Sequence, residues 1–136
     1  MRQFLLDTNA FLRYILNDVL SQADEITQVF IQSKKGEARV TVPIVVFLEA
    51  TYVLTKVYGY ERSLVKQQCE MFFAIPSLDI PDRYVLRDAY ATWTENLSVS
   101  FADCVLLHMA RIGGKELLTF DKGLQRLSTR FALDRQ

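Results

Sequence analysis

Short apolar runs alternate with longer amphipathic stretches along this chain. The first run, Phe4–Leu6, is typical of a strand buried on both faces, and it stops at Asp7. Later apolar runs predict strands over 38–42, 78–80, 116–120 and 131–133. The stretches between them have apolar residues at helical spacing and predict helices over 9–17, 21–35, 44–58, 61–73, 83–96 and 102–112, with a short helix after 121.

Helix ends have their own sequence signals. Ser21 before Asp24 and Glu25 predicts an N-cap followed by an acidic first turn. Pro43 suits the first turn of a helix, and Gly59 predicts a helix stop. The alternation of strands and helices predicts an α/β fold of three layers. Its centre would be a mostly parallel, twisted sheet of about four to five strands with helices on both faces.

Composition narrows the class of protein. The chain has 136 residues, half of them apolar, and carries no linker, which predicts one domain over 1–136. Formal net charge is zero, so affinity for nucleic acid has to come from a local patch. Cys69 and Cys104 lie in apolar helical patterns and predict buried thiols. Without a secretory signal or a membrane-spanning apolar stretch, we expect a cytoplasmic protein.

Four acids stand where a charge needs an explanation. Asp7 and Asp121 each end a predicted strand. Glu49 is the only acid in a strongly apolar helix, and Asp103 lies in the first turn of another. Because the strands of a parallel sheet present their carboxyl ends at one edge, Asp7 and Asp121 should share that edge. Both helix-borne acids can project toward it.

Each acid also has a purely structural interpretation. Asp7 and Asp121 suit N-caps of the helices that follow them. Asp103 suits the positive end of a helix that Ser100 would cap. Glu49 would pair with a buried Arg or Lys. Together these explanations require four separate coincidences, so a shared role for the acids is favoured.

Clustered carboxylates require a positive partner. At about 5 Å and an effective dielectric near 20, each like-charged pair repels by roughly 3 kcal/mol. A small domain has only about 5–15 kcal/mol of net stability, so four bare charges cannot persist together. Oxygen ligands favour hard cations, hence Mg²⁺ or Mn²⁺. The hydroxyls of Thr8, Ser100 and Thr119 are placed to orient carboxylates or waters, or to act as caps.

The chain has one histidine, His108. It lies five residues after Asp103 on the same predicted helix, so the two side chains belong to different faces. A structural histidine is therefore favoured over a catalytic one.

Four motifs, in this order, resemble those of PIN-domain proteins, most closely the VapC-like toxin ribonucleases of prokaryotic type II toxin–antitoxin pairs. The motifs are Leu6–Asn9, Pro43 with Glu49, Ser100–Asp103 and Leu118–Asp121. The resemblance implies a Mg²⁺- or Mn²⁺-dependent endoribonuclease. It assigns metal binding and catalysis to Asp7, Glu49, Asp103 and Asp121, with accessory polar positions at Asn9, Ser100 and Thr119.

The resemblance also implies a mechanism and partners. A held Mg²⁺ would lower the pKa of a bound water, and the hydroxide would attack an RNA phosphodiester in line. Arg13 and Lys122 are candidates for holding substrate phosphates, although both also suit surface charges. A cognate antitoxin and a homodimer are the implied protein partners.

Two other functions fit parts of the pattern. A phosphatase would use Asp7 as its nucleophile, but such enzymes carry a second acid where this chain has Asn9. A non-catalytic interaction module would instead expose apolar residues of the early helices to a partner. Phe11, Tyr14 and Phe30 are the residues expected to do so.

Overall fold

A computed structural model describes residues 1–134. Its strands are β1 (Arg2–Leu5), β2 (Ala38–Thr41) and β3 (Leu78–Asp79), paired in parallel in the order β1-β2-β3. Its helices are α1 (Thr8–Leu16), α2 (Leu20–Lys34), α3 (Ile44–Lys56), α4 (Arg62–Phe73), α5 (Arg83–Glu95), α6 (Phe101–Ile112) and α7 (Lys122–Asp134). The predicted class is confirmed: the fold is α/β, with a parallel sheet flanked by helices.

The chain divides into two compact units, one over Met1–Arg83 and the other from Tyr84 onward. The first unit contains the sheet. Its register pairs Leu5 with Thr41 and Thr41 with Asp79, so the carboxyl ends of the strands lie at one edge. Asp7 follows β1 at that edge.

The prediction that β1 is buried on both faces was wrong. Side chains alternate across a strand, so Phe4 and Leu6 share one face while Leu5 lies on the other. Leu6 is buried and Phe4 half-buried, but Leu5 is 73% exposed. Only one face of this strand is covered within its unit.

The core of the first unit is an aromatic cluster. Phe11 stacks on Phe72 with ring centroids 4.4 Å apart, and meets Phe47 edge-on at 5.2 Å. Tyr14 and Phe30 extend the cluster through a contact of 4.9 Å. Phe11 and Phe30 are buried, so the expectation that they form an exposed interaction surface was wrong. Aromatic pairs in such geometries stabilise a core beyond their burial alone.

The second unit is helical in its described residues. In α5, five residues of the apolar face are buried: Val85, Leu86, Ala89, Tyr90 and Trp93. Tyr90 stacks on Phe101 of α6 with centroids 4.2 Å apart. The predicted burial of both cysteines is confirmed, since Cys69 lies inside α4 and Cys104 inside α6, with neither in a disulfide.

Three local predictions were wrong. Residues 116–120 are not a strand, and Leu118 and Phe120 are each 91% exposed. Residues 131–133 belong to α7, which is longer than the predicted short helix because its helical spacing continues. The three-stranded sheet found in residues 1–134 is therefore smaller than expected. Ser21 is not an N-cap, since α2 begins one residue earlier with Val19 at its cap position.

Candidate active site

Asp7 lies where β1 gives way to α1. Its Oδ1 accepts a hydrogen bond of 2.8 Å from the backbone N–H of Ala10, so Asp7 is the N-cap of α1. The cap position also places its negative charge at the positive end of the helix dipole. One carboxylate oxygen serves the cap, and a carboxylate has a second oxygen that can bind a cation. Capping and metal binding are therefore compatible in this residue.

Glu49 lies in the middle of α3, whose buried residues are apolar except for Thr51. Phe47 and Ala50, on either side of it, are buried, but Glu49 itself is exposed. Helical periodicity turns the acid outward, so it needs no buried basic partner. Thr8 donates a hydrogen bond from Oγ1 to Glu49 Oε2 over 3.3 Å. This contact joins the start of α1 to the acid of α3.

Asp7 and Glu49 line the same open cleft of about 530 Å³ in the first unit. Its other lining residues are Thr8, Asn9, Leu12, Arg13, Val53, Val57 and Tyr58. Arg13 is the one basic residue in that lining, and its Nη1 forms an ion pair of 2.7 Å with Asp18 Oδ2. Asp18 offsets the positive charge of the Arg13 guanidinium. The carboxylates of Asp7 and Glu49 therefore give the cleft a negative charge, and an RNA phosphate needs added positive charge to bind there.

In the second unit, Asp103 lies in the first turn of α6. Ser100 is the N-cap, and its Oγ accepts a hydrogen bond of 3.1 Å from the backbone N–H of Asp103. This confirms the predicted cap. The Asp103 side chain is half-exposed and takes no part in the cap bond.

Asp121 directly precedes α7 and is exposed. Its Oδ1 accepts a hydrogen bond of 2.8 Å from the N–H of Leu124. The Asp121 N–H donates to Thr119 Oγ1 over 3.1 Å, and Gln125 Nε2 donates to the Thr119 carbonyl over 2.7 Å. Thr119 thus fixes the backbone beside the acid. Lys122 follows as the first residue of α7 and is exposed.

His108 is buried on another face of α6 from Asp103, as predicted. Its Nε2 lies 2.7 Å from Thr92 Oγ1, and Phe131 packs edge-on against its ring at 5.1 Å. Burial lowers the pKa of His108, and Arg111 lowers it further, while the charge of Asp88 opposes the shift. These surroundings favour the neutral form of a ring that is buried in the core of this unit.

Comparison with protein-family models gives one match, a PIN domain over residues 4–129. This match spans both units and all four predicted acids. The chain belongs to the PIN domain family. Comparisons with curated proteins and with solved structures give no match. PIN domains are generally nucleases, typically dependent on divalent metal ions, and PIN nucleases bind RNA.

The donor set of this PIN domain fits a hard divalent ion in the first unit. Asp7 and Glu49 contribute carboxylate oxygens to one cleft, and Thr8 contributes a hydroxyl that orients one of them. Within the part of the chain that the structure describes, no three His, Cys, Asp or Glu side chains are grouped as around a metal ion. The convergence of all four acids therefore stays a prediction. No helix among residues 1–134 is long and apolar enough to span a membrane.

Among the cleft residues without a predicted role, Tyr58 is the aromatic one. In the sequence it marks only the end of the helix predicted over 44–58, before the stop signal of Gly59. The structure places it in the wall of the cleft that contains Asp7 and Glu49. An exposed aromatic residue next to a helix stop was the available sequence signal.

Proposed function

We propose that this PIN domain is a divalent-metal-dependent endoribonuclease that hydrolyses RNA phosphodiester bonds. The observation that carries the proposal is the shared cleft of Asp7 and Glu49, two acids separated by most of an α/β unit in sequence. The family match supports nuclease activity, and the oxygen-only donors support Mg²⁺ or Mn²⁺. Asp103 and Asp121 complete the proposed set in a single domain over 1–136.

The residues of the cleft have separate tasks in this proposal. When bound, the divalent ion supplies Lewis acidity for phosphodiester hydrolysis. Ala10 fixes the Asp7 carboxylate through the cap bond, and Thr8 fixes one oxygen of Glu49. Arg13 lines the same cleft and is the proposed phosphate contact. On RNA binding, its guanidinium would leave Asp18 and pair with a phosphate of the substrate. Lys122 has the same proposed role beside Asp121, and Asn9 and Ser100 support the acids.

The test measures cleavage of a mixed-sequence single-stranded RNA with Mg²⁺, Mn²⁺ or a chelator. Asp7→Asn, Glu49→Gln, Asp103→Asn and Asp121→Asn should each lower kcat by about 100-fold or more, since losing even an outer partner of a metal site costs about 10–100-fold. Asp24→Asn, which removes an exposed acid of α2 outside the cleft, is the matched control. Undiminished cleavage by Asp7→Asn would overturn the proposal.

We further propose that the nuclease is the toxin of a toxin–antitoxin pair, cytoplasmic and homodimeric. The motif resemblance supports this, together with the α/β fold. The test is expression in a bacterial host with and without the small protein encoded next to this gene. Growth arrest that requires Asp7 and is relieved by the neighbour supports the pairing. Growth arrest that survives Asp7→Asn would contradict it, and sedimentation of the purified chain tests the dimer.

The phosphatase alternative has weaker support, since the family match points to phosphodiester cleavage. The alternative of a non-catalytic interaction module required Phe11 and Phe30 to be exposed. Both are core residues, so this alternative also has weaker support.

A further inference from the structure

Tyr58 lies in the turn that ends α3, in a backbone conformation set by three features. Its N–H donates to the Val53 carbonyl over 3.2 Å, and the Tyr60 N–H donates to the Leu54 carbonyl over 2.9 Å. Between them, Gly59 has a φ of 71°, a conformation that other residues rarely adopt. The turn therefore holds Tyr58 at a defined position in the cleft wall.

The ring of Tyr58 is available to a ligand. Its side chain is 43% exposed, although it lines a cleft. Tyr60 contacts it with centroids 6.3 Å apart and an interplanar angle of 58°. This tilted contact braces the Tyr58 ring without stacking on it face to face. A supported aromatic ring that still faces solvent is a suitable platform for another flat ring.

The lining of the cleft divides into charged and apolar residues. Asp7, Glu49 and Arg13 supply its charged part. Val53, Val57 and Tyr58 supply an apolar part, and Val57 is 70% exposed. A nucleotide has the same division, because its phosphate is charged while its base is flat and largely apolar. Along the chain, the acid Glu49 precedes the apolar Val53 and Val57. This order suits an RNA strand that has a phosphate at the acids and a base at the apolar residues.

We propose that Tyr58 is a stacking platform for a base of single-stranded RNA, and that it positions the strand whose scissile phosphate lies at Asp7 and Glu49. This inference rests on the proposed nuclease function. Bases stack on aromatic side chains only when they are free of a duplex partner, so the platform selects single-stranded segments, loops or bulges.

Helix geometry gives the register of the stacked base. Glu49 and Val57 are eight residues apart, which corresponds to about 12 Å along a helix that rises about 1.5 Å per residue. That distance exceeds the extent of a single nucleotide. The stacked base therefore belongs to a neighbour of the nucleotide that is cut, and its loss should affect binding more than chemistry.

The experiment compares the full chain with Tyr58→Ala and Tyr58→Phe on a fluorescently labelled single-stranded oligoribonucleotide of mixed sequence. Tyr58→Ala should raise KM about tenfold, equivalent to about 1.4 kcal/mol, within the range for one stacked base. kcat should be unchanged, and Tyr58→Phe should restore KM. The matched control is Tyr52→Ala, at an exposed tyrosine of α3 outside the cleft lining, which should leave KM and kcat unchanged.

A second measurement identifies the contact itself. A single abasic position is moved along the oligonucleotide, and KM is measured for the wild-type chain and for Tyr58→Ala. At one position near the cut site, base removal should raise KM for the wild type but not for Tyr58→Ala. A structural role of Tyr58 would give no such coupling. Additive effects at every position, or equal KM for the same RNA in a duplex, would overturn the inference.

The two proposals fail in different ways. If neither the wild type nor any variant cleaves RNA in Mg²⁺ or Mn²⁺, the proposed function fails. If the wild type cleaves RNA and Tyr58→Ala has the same KM, the nuclease proposal stands and only the stacking platform fails.

Discussion

Thr8 and Glu49 are joined by a hydrogen bond of 3.3 Å, although 41 residues separate them in sequence. The donor is the first residue of α1, and the acceptor is the exposed acid of α3. Glu49 is exposed on α3, and this bond restricts the conformations of its carboxylate. A restricted carboxylate loses less conformational entropy on binding a cation.

Thr8→Val removes the hydroxyl and should weaken the apparent affinity for Mg²⁺ about 10-fold, in line with the loss of outer partners of metal ligands. The measurement is a Mg²⁺ titration of RNA cleavage. Thr8→Ser keeps a hydroxyl at the same position and should behave as the wild type. A Thr8→Val enzyme with an unchanged Mg²⁺ midpoint would show that the hydroxyl does not orient Glu49 for metal binding.

Asp7 has a structural task that can be separated from its proposed chemical one. Asn is as good an N-cap as Asp, whereas Ala has no side-chain acceptor for the Ala10 N–H. Asp7→Ala should therefore lower the free energy of unfolding by about 1 kcal/mol, while Asp7→Asn should change it by much less. Urea unfolding without divalent ions measures both. Equal destabilisation by the two substitutions would contradict the capping role.

His108 predicts a pH dependence of stability. Because its pKa is lowered in the folded chain, the unfolded chain binds more protons between the folded pKa and the ordinary value of about 6.5. The contribution of His108 to stability is therefore complete above about pH 6.5 and is lost as the pH falls through the folded pKa. Thermal unfolding from neutral to mildly acidic pH measures this loss.

His108→Gln does not titrate and keeps a polar group for Thr92 Oγ1, so it is the control for this prediction. Its melting temperature should fall less steeply with pH than that of the wild type. Parallel curves for the two chains would assign the acid sensitivity to other groups.

Phe72 contacts four other rings of the core cluster, including Phe11 at 4.4 Å and Tyr14 at 5.5 Å. Phe72→Ala should destabilise the fold by about 3–5 kcal/mol, because it leaves a cavity in a fully buried site. Met71→Ala, at a 60% exposed neighbour on α4, should cost less than about 0.5 kcal/mol. Urea unfolding of both variants tests the difference, and comparable losses would contradict the assigned core.

Periodic patterning was sufficient to predict the elements of the first unit. The helices around Phe11, Phe47 and Phe72 and the strands at Val40 and Leu78 lie close to their predicted ranges, and all five of these residues are buried. Local signals failed where the outcome depends on distant partners. Residues 116–120 have a strand-like composition, but a strand is defined by its pairing, which composition does not contain.

The candidate site was predictable in part. Asp7, Asp103 and Asp121 stand out by position, and each lies at a helix N-terminus as their spacing allows. Glu49 stands out as a lone acid in an apolar helix, although its exposure was not foreseen. The Thr8–Glu49 bond could not be read from the sequence, since it depends on how α1 lies against α3.

The cap bond between Asp7 and Ala10 has a practical consequence for capturing a complex. The amide oxygen of an asparagine can accept the same bond. Asp7→Asn should therefore abolish the proposed cleavage while the N-terminus of α1 stays capped. The resulting inert chain would retain the groove shape, the exposed tyrosine and the paired arginine. It is therefore the natural reagent for trapping uncut RNA in a crystal or on a column.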